Sequence, residues 1–151
     1  MPLTPDELLE RMRRTTPPTA ALLGLELLAI DPEAGSVRMR MRVEDRFCNP
    51  MGNLQGGIIT TMLDDTAALS IIVKSGRRIA VPTIEFKTSF FAPAPRGTVV
   101  ESVGRCLKLG RRIAYGEADL FDAQGKLLAR LSTSVVPLEM TTEPMLVERE
   151  A

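Results

Sequence analysis

The sequence predicts an α+β domain in which an antiparallel sheet curls around one long apolar helix. Three observations carry that expectation. Residues 57–74 form an apolar run with no internal breaker, opened by Gly56-Gly57 and closed by Gly76, a length that suits a helix better than a strand. A two-strand hairpin precedes it and four strand-like runs follow it. A helix apolar on nearly every face needs other elements wrapped around it, and strands joined by short turns supply them with little connecting chain. The 151 residues, 44% hydrophobic and 25% charged, suit one compact domain and are cramped for two.

Each element has a local reason. Thr4 is placed to cap a short amphipathic helix with Pro5 at its first position and Asp6 and Glu7 in its first turn; Leu8, Leu9 and Met12 form its apolar side, and Pro17-Pro18 stop it. Residues 22–30 read as a strand. Residues 36–43 alternate Val37, Met39, Met41 and Val43 with Arg38, Arg40 and Arg42, the period of a half-buried strand, and Asp31-Pro-Glu-Ala-Gly35 is the turn between the two. Residues 44–55 carry Asp45, Asn49, Pro50, Gly52 and Asn53 and read as a loop. After the helix, residues 78–91, 97–109, 112–121 and 126–136 read as strands separated by PAPRG, LGR and DAQG turns. The expected domain spans residues 1–138. The acidic tail, residues 139–151 with Pro144, is expected to fray.

Composition removes several classes of chemistry. The chain has no histidine, so Ser-His and Cys-His pairs, histidine metal sites and imidazole proton shuttles are excluded. Cys48 and Cys106 lie far apart without a CxxC spacing and read as reduced thiols of a cytoplasmic protein. No metal or other cofactor is expected. With 19 basic and 19 acidic residues the formal net charge is zero, which gives no footprint for nucleic acid or an anionic membrane surface. Asp64 and Asp65 interrupt the longest apolar stretch, and the charged N-terminus lacks the apolar core of a signal peptide, so no membrane span or leader is expected.

Two features can carry chemistry. Asn49-Pro-Met-Gly-Asn-Leu-Gln55-Gly56-Gly57 leads into the helix, where first-turn N–H groups lack intrahelical partners and the dipole is positive; a carbonyl developing negative charge can bind there. A tight turn explains the same glycines without function. Asp64-Asp65 sits in mid-helix. Adjacent helical residues point about 100° apart, so one carboxylate can face water while the other faces inward, and the periodicity does not say which one acts.

On these residues the chain resembles the hotdog-fold acyl-CoA thioesterases, in the branch containing 4-hydroxybenzoyl-CoA and phenylacetyl-CoA thioesterases. Asn49 lies six positions before the Gln55-Gly56-Gly57 triplet and Asp64 nine positions after Gln55, where the family has Asn or Gln, His-Gly-Gly, and a catalytic Asp or Glu. FKTSFFAPAPRG and LGRRIAYGEADLFDAQGKLLARLSTSVV resemble the third strand and closing hairpin, so the resemblance spans roughly residues 20–138. It implies hydrolysis of a small or medium acyl-CoA. Asp64 would be nucleophile or general base, the Gly56 N–H the oxyanion donor and Asn49 the positioning group, with Gln55, Gly57, Asp65 and Thr83 in support. Lys87, Arg96, Arg111 and Arg112 would bind the coenzyme A nucleotide.

The family's sites combine two subunits, which implies a homodimer or a homotetramer built as a dimer of dimers. The geometry agrees: Asp64 is about 12 Å along the helix from Gly56, too far for one carbonyl to touch both within one helix. Gln55 replaces the family's histidine; its amide keeps a hydrogen bond and loses the titration. A hotdog protein that binds acyl-CoA or a fatty acyl group without cleaving it is the alternative reading. A hotdog dehydratase fits less well, because such enzymes generally use a histidine with an acidic residue.

Overall fold

The computed structural model describes residues 4–149. In chain order its elements are α1 (Pro5–Arg14), β1 (Thr15–Thr16), α2 (Pro18–Leu23), β2 (Glu26–Asp31), β3 (Ser36–Arg42), a 3-10 turn (Asp45–Phe47), α3 (Gly56–Ser75), β4 (Ile79–Ala80), β5 (Thr83–Phe90), β6 (Val99–Leu109), β7 (Ala114–Phe121), β8 (Leu127–Val135), β9 (Leu138–Glu139) and β10 (Val147–Glu148). β2, β3, β6, β7, β8 and β5 form one antiparallel sheet in that order, with β2 and β5 at its edges. This is the sheet around one helix that the sequence predicts.

Alternation sets the inner face. Val37, Met39 and Met41 of β3 are buried while Arg38, Arg40 and Arg42 are exposed. α3 lies across the concave side and buries Ile59, Met62, Leu63, Thr66, Ala67, Ser70, Ile71 and Val73. Its close approach depends on glycine in the sheet: a β-carbon at Gly104 of β6 would collide with the Thr66 carbonyl, and one at Gly116 of β7 would press on Ile71 at 3.2 Å. The Thr66 hydroxyl donates to the Met62 carbonyl at 2.7 Å and shares a 2.7 Å hydrogen bond with Ser102, so both buried hydroxyls are satisfied.

The helix is less enclosed than its composition suggests. Thr61, Asp64, Asp65, Ala68 and Ile72 form a half-buried stripe away from the sheet. By length and hydropathy α3 could cross a bilayer, but its opposite face is spent on the sheet.

The expected helix α1 carries a full capping box, with the Glu7 N–H donating to the Thr4 hydroxyl and the Thr4 N–H to the Glu7 carboxylate. Arg13 donates to the Leu27 and Leu28 carbonyls, both at 2.9 Å, and so covers the β2 edge. α2 was not foreseen and overlaps the start of the run read as a strand from residue 22: Pro18 starts it, Gly24 ends it in the left-handed region (φ 66°), and the strand begins only at Glu26. Pro82 likewise divides the run read as one strand over residues 78–91 into β4 and β5.

The tail departs from the expected fraying. β9 pairs with β4 and β10 with β1, the Arg149 N–H donates to the Arg14 carbonyl at 3.1 Å, and Arg78 pairs with Glu143 at 2.7 Å. The edge backbones of β1 and β4 give the tail partners that its own sequence does not reveal. Residues 150 and 151 lie outside the described range.

Candidate active site

α3 begins directly after a loop fixed by backbone bonds. Gln55 N–H donates to the Phe47 carbonyl at 2.9 Å, Leu54 N–H to Ala94 at 2.8 Å and Asn49 N–H to Asn53 at 2.7 Å. Gln55 is the N-cap residue, but its exposed side chain makes no capping bond, so the first-turn N–H groups of Gly56 and Gly57 stay available. Gly56 has a steric reason to be glycine, since a β-carbon there would meet the Phe90 ring at 3.3 Å; nothing lies within 4 Å of the corresponding position at Gly57.

Asn49 and Gly56 line one cavity of about 290 Å³, closed on one side by Phe90. The Asn49 Oδ1 accepts the N–H groups of Met51 (3.0 Å) and Asn53 (3.2 Å). That oxygen therefore shapes the loop, and the Nδ2 amide is the part of Asn49 left to donate to a bound group.

Asp64 and Asp65 lie two turns farther along α3, on its half-buried stripe. Burial raises the Asp64 pKa above its ordinary value. Asp65 is pushed up to about 6, first by burial and then by the charge of Asp64, and its Oδ2 is buried without a hydrogen-bond partner among the described residues. Two adjacent carboxylates poorly served by water and by donors are better bases than exposed ones.

β5 runs antiparallel to α3. Gly56 abuts Phe90, and the Thr60 hydroxyl donates to Thr88 at 3.1 Å. One helical turn advances about as far as two strand residues, so the next step of this ladder sets Asp64 level with Phe86. Thr83, expected to support the nucleophile, is an exposed residue at the start of β5, about 10 Å farther along. Its partner Val135 packs with Ile71, well past Asp64 on the helix.

The four basic residues do not form one cluster in the chain. Arg96 lies beside the Asn49 loop, its N–H donating to the Gly52 carbonyl at 3.0 Å and its guanidinium 4.0 Å from Asp45. Arg111 and Arg112 occupy the β6–β7 turn at the other end of the sheet, and Lys87 is exposed in mid-β5. Successive turns of antiparallel strands fall at opposite ends, which separates Arg96 from Arg111 and Arg112 by roughly the length of α3, about 30 Å. Sequence reasoning also missed Thr60 and Thr88; their signal was the Thr60-Thr61 pair on an otherwise apolar helix.

The comparisons with known proteins agree with this architecture. The family described as Thioesterase superfamily matches residues 51–129, just over half of the chain and the whole of the α3 region. A phenylacetic acid degradation-related protein of Ralstonia eutropha JMP134 is 30% identical, with a TM-score of 0.74 over 80% of this chain and 90% of that one. Acyl-coenzyme A thioesterase 13 of Homo sapiens is 26% identical over 106 residues, 70% of this chain and 75% of the human one. A Streptococcus mutans UA159 protein bound to acetyl CoA is 18% identical and shares the fold, with a TM-score of 0.70 over 76% and 89% of the two chains. With this match, a sheet curled around a helix that opens on Gly56 and carries Asp64, the chain belongs to the thioesterase superfamily, has the hotdog fold and is a thioester hydrolase.

Proposed function

We propose that the protein hydrolyses an acyl-CoA thioester at sites shared between two copies of the chain, with Asp64 supplying the carboxylate and the partner's helix start supplying the oxyanion donor. The observation that carries this reading is the placement of Asp64 on the open stripe of α3, about 12 Å from the free N–H of Gly56. Two such helices packed antiparallel across a two-fold axis bring each Asp64 to the other copy's Gly56.

The edge strand β5 supports the pairing. Its outer backbone is unpaired in the sheet, and Ile84, Phe86 and Phe90 are about half exposed, at 54, 47 and 53%. An apolar, unpaired edge is a liability that a second copy removes. Such a pairing would also bring basic residues of one copy toward the loop end of the other, where an acyl-CoA's phosphates can be met by Arg96 together with Arg111 and Arg112 of a neighbouring copy.

In the reaction the thioester carbonyl accepts the Gly56 N–H, which stabilises the negative charge that grows on its oxygen. The Asp64 carboxylate either takes a proton from the attacking water or itself attacks the carbonyl carbon, giving a mixed anhydride that water then cleaves. Both routes break the C–S bond, release coenzyme A as the thiol after protonation and yield the carboxylic acid. They require no metal or redox cofactor and suit a cytoplasmic protein.

Thiol release from a panel of acyl-CoAs tests the proposal, wild type against Asp64→Asn, with sedimentation measured alongside. The expected result is a dimer or larger assembly whose turnover is lost in the variant. Full activity of Asp64→Asn, or of a strict monomer, overturns it.

A further inference from the structure

A second and larger cavity, about 450 Å³, opens beside Asp65 and follows the second half of α3 toward Ile72 and Ile79, away from Gly56. Its volume lies within the roughly 300–1,000 Å³ of small-molecule sites. Leu69 and Ile72 form its floor, Met12 of α1 and Met39 of β3 one side, and Met140 and Met145 of the tail its roof. The N-terminal helices and the tail lie outside residues 51–129, the stretch that the family match covers.

The lining says what kind of group fits. Among the described residues no aromatic side chain and no histidine lines the cavity, and four of the chain's eight methionines do. Unbranched thioether side chains adapt to flexible aliphatic surface, whereas a planar ring is usually gripped by rigid or aromatic walls. The guanidinium of Arg78, the one basic group in the lining among the described residues, already pairs with Glu143 at 2.7 Å. Asp65, next to Asp64 in the chain, lines one end of the cavity, which runs about 10 Å along the helix to Ile72.

Resting on the thioesterase reading above, we infer that this cavity is the acyl pocket and that it takes an unbranched aliphatic acyl group of on the order of ten carbons: the volume is that of about fifteen water-sized groups at roughly 30 Å³ each, and the half-open side leaves part of it to solvent. The thioester then lies at Asp64, and the chain threads under the C-terminal tail. The tail closes over the alkyl group and is anchored through β10 and the Arg78–Glu143 pair.

The full-length protein is assayed for thiol release from straight-chain acyl-CoAs, acetyl to palmitoyl, and from phenylacetyl-CoA, which has as many acyl carbons as octanoyl-CoA. The expected kcat/KM climbs by up to about fourfold per methylene, the equivalent of roughly 0.8 kcal/mol each, and flattens near decanoyl. Octanoyl-CoA is expected to exceed phenylacetyl-CoA by about tenfold or more.

Ile72→Trp fills the cavity and is expected to move the plateau several carbons shorter. Met145 is 80% exposed, so Met145→Asp leaves the fold intact, and its charge in the roof is expected to cut decanoyl-CoA turnover about tenfold and butanoyl-CoA turnover far less. A profile independent of chain length, a preference for phenylacetyl over octanoyl, or variants with the wild-type profile overturns the inference. If no thioester is cleaved, the hydrolase reading fails separately. Calorimetric titration with decanoyl-CoA then decides the pocket: saturable binding that Met145→Asp weakens supports it, and absence of binding overturns it.

Discussion

The Thr60 hydroxyl donates to the Thr88 hydroxyl at 3.1 Å, and this bond pins the central helix to the edge strand of the sheet. With the Gly56–Phe90 contact one turn earlier, it fixes the sliding register of α3 against β5 and therefore how far Asp64 stands from the sheet edge. Thr60→Val and Thr88→Val are each expected to cost about 1 kcal/mol of stability. Their double-mutant cycle in urea should show coupling of about 0.5–1.5 kcal/mol. Strict additivity would mean that the two hydroxyls do not hold the register.

Asp64→Asn is expected to lower kcat by about 10²- to 10⁴-fold, the range for loss of a positioned carboxylate, with circular dichroism unchanged. Asp65→Asn should retain most of the activity on short acyl groups. Equal losses at the two positions would refute the division of roles along the helix. A single turnover in ¹⁸O-labelled water detects a mixed anhydride that water opens at the Asp64 carbon, because the label then enters Asp64 and both product oxygens are unlabelled, whereas water attack on the thioester puts one ¹⁸O in the product.

Activity should fall in acid above the usual carboxylate range, because burial holds Asp64 raised and Asp65 near 6, and protonation removes the base. Asp65→Asn is expected to leave the acid limb of kcat/KM in place, because burial, not the Asp65 charge, is what raises Asp64; a limb that moves to lower pH would show that Asp65 also holds Asp64 up.

Stability should respond in the opposite sense. The folded state holds Asp65 above the pKa of about 3.9 expected for the unfolded chain, so its contribution is fullest below that value and is lost as pH rises through about 6. At pH 7.5 Asp65→Asn is expected to raise Tm by several degrees, and at pH 4 by much less. Thermal denaturation at the two pH values checks this, and a variant less stable than wild type at pH 7.5 contradicts it.

Phe86 is about half exposed on β5, level with Asp64. Phe86→Lys should leave a folded monomer, read by sedimentation, whose turnover has fallen by two orders of magnitude or more even though no group that touches the thioester has changed. A fully active monomer would remove the shared site.

The sheet around α3, the alternation in β3 and β8 and the caps of α1 were legible because each depends on neighbours within a few residues, with periods of two or 3.6. The Gly56-to-Asp64 spacing was legible as well, and both residues fall within the match over residues 51–129, while Asn49 precedes it. Which end of the sheet each of Arg96, Arg111 and Arg112 occupies was not read, because a residue's place in a motif does not say at which end its turn falls. That too could have been counted from strand order.

What the sequence by itself determined is local: where the helix starts, that glycine opens it, that two carboxylates lie in its middle and that no imidazole is available. The tertiary structure alone decided how far each carboxylate is buried, that Thr60 meets Thr88, and that the tail returns to roof a methionine-lined cavity beside Asp65. Helix caps and alternation are set by short-range hydrogen bonding and pleat geometry. Burial and cavity shape depend on segments more than a hundred residues apart in the chain, and only packing brings these together.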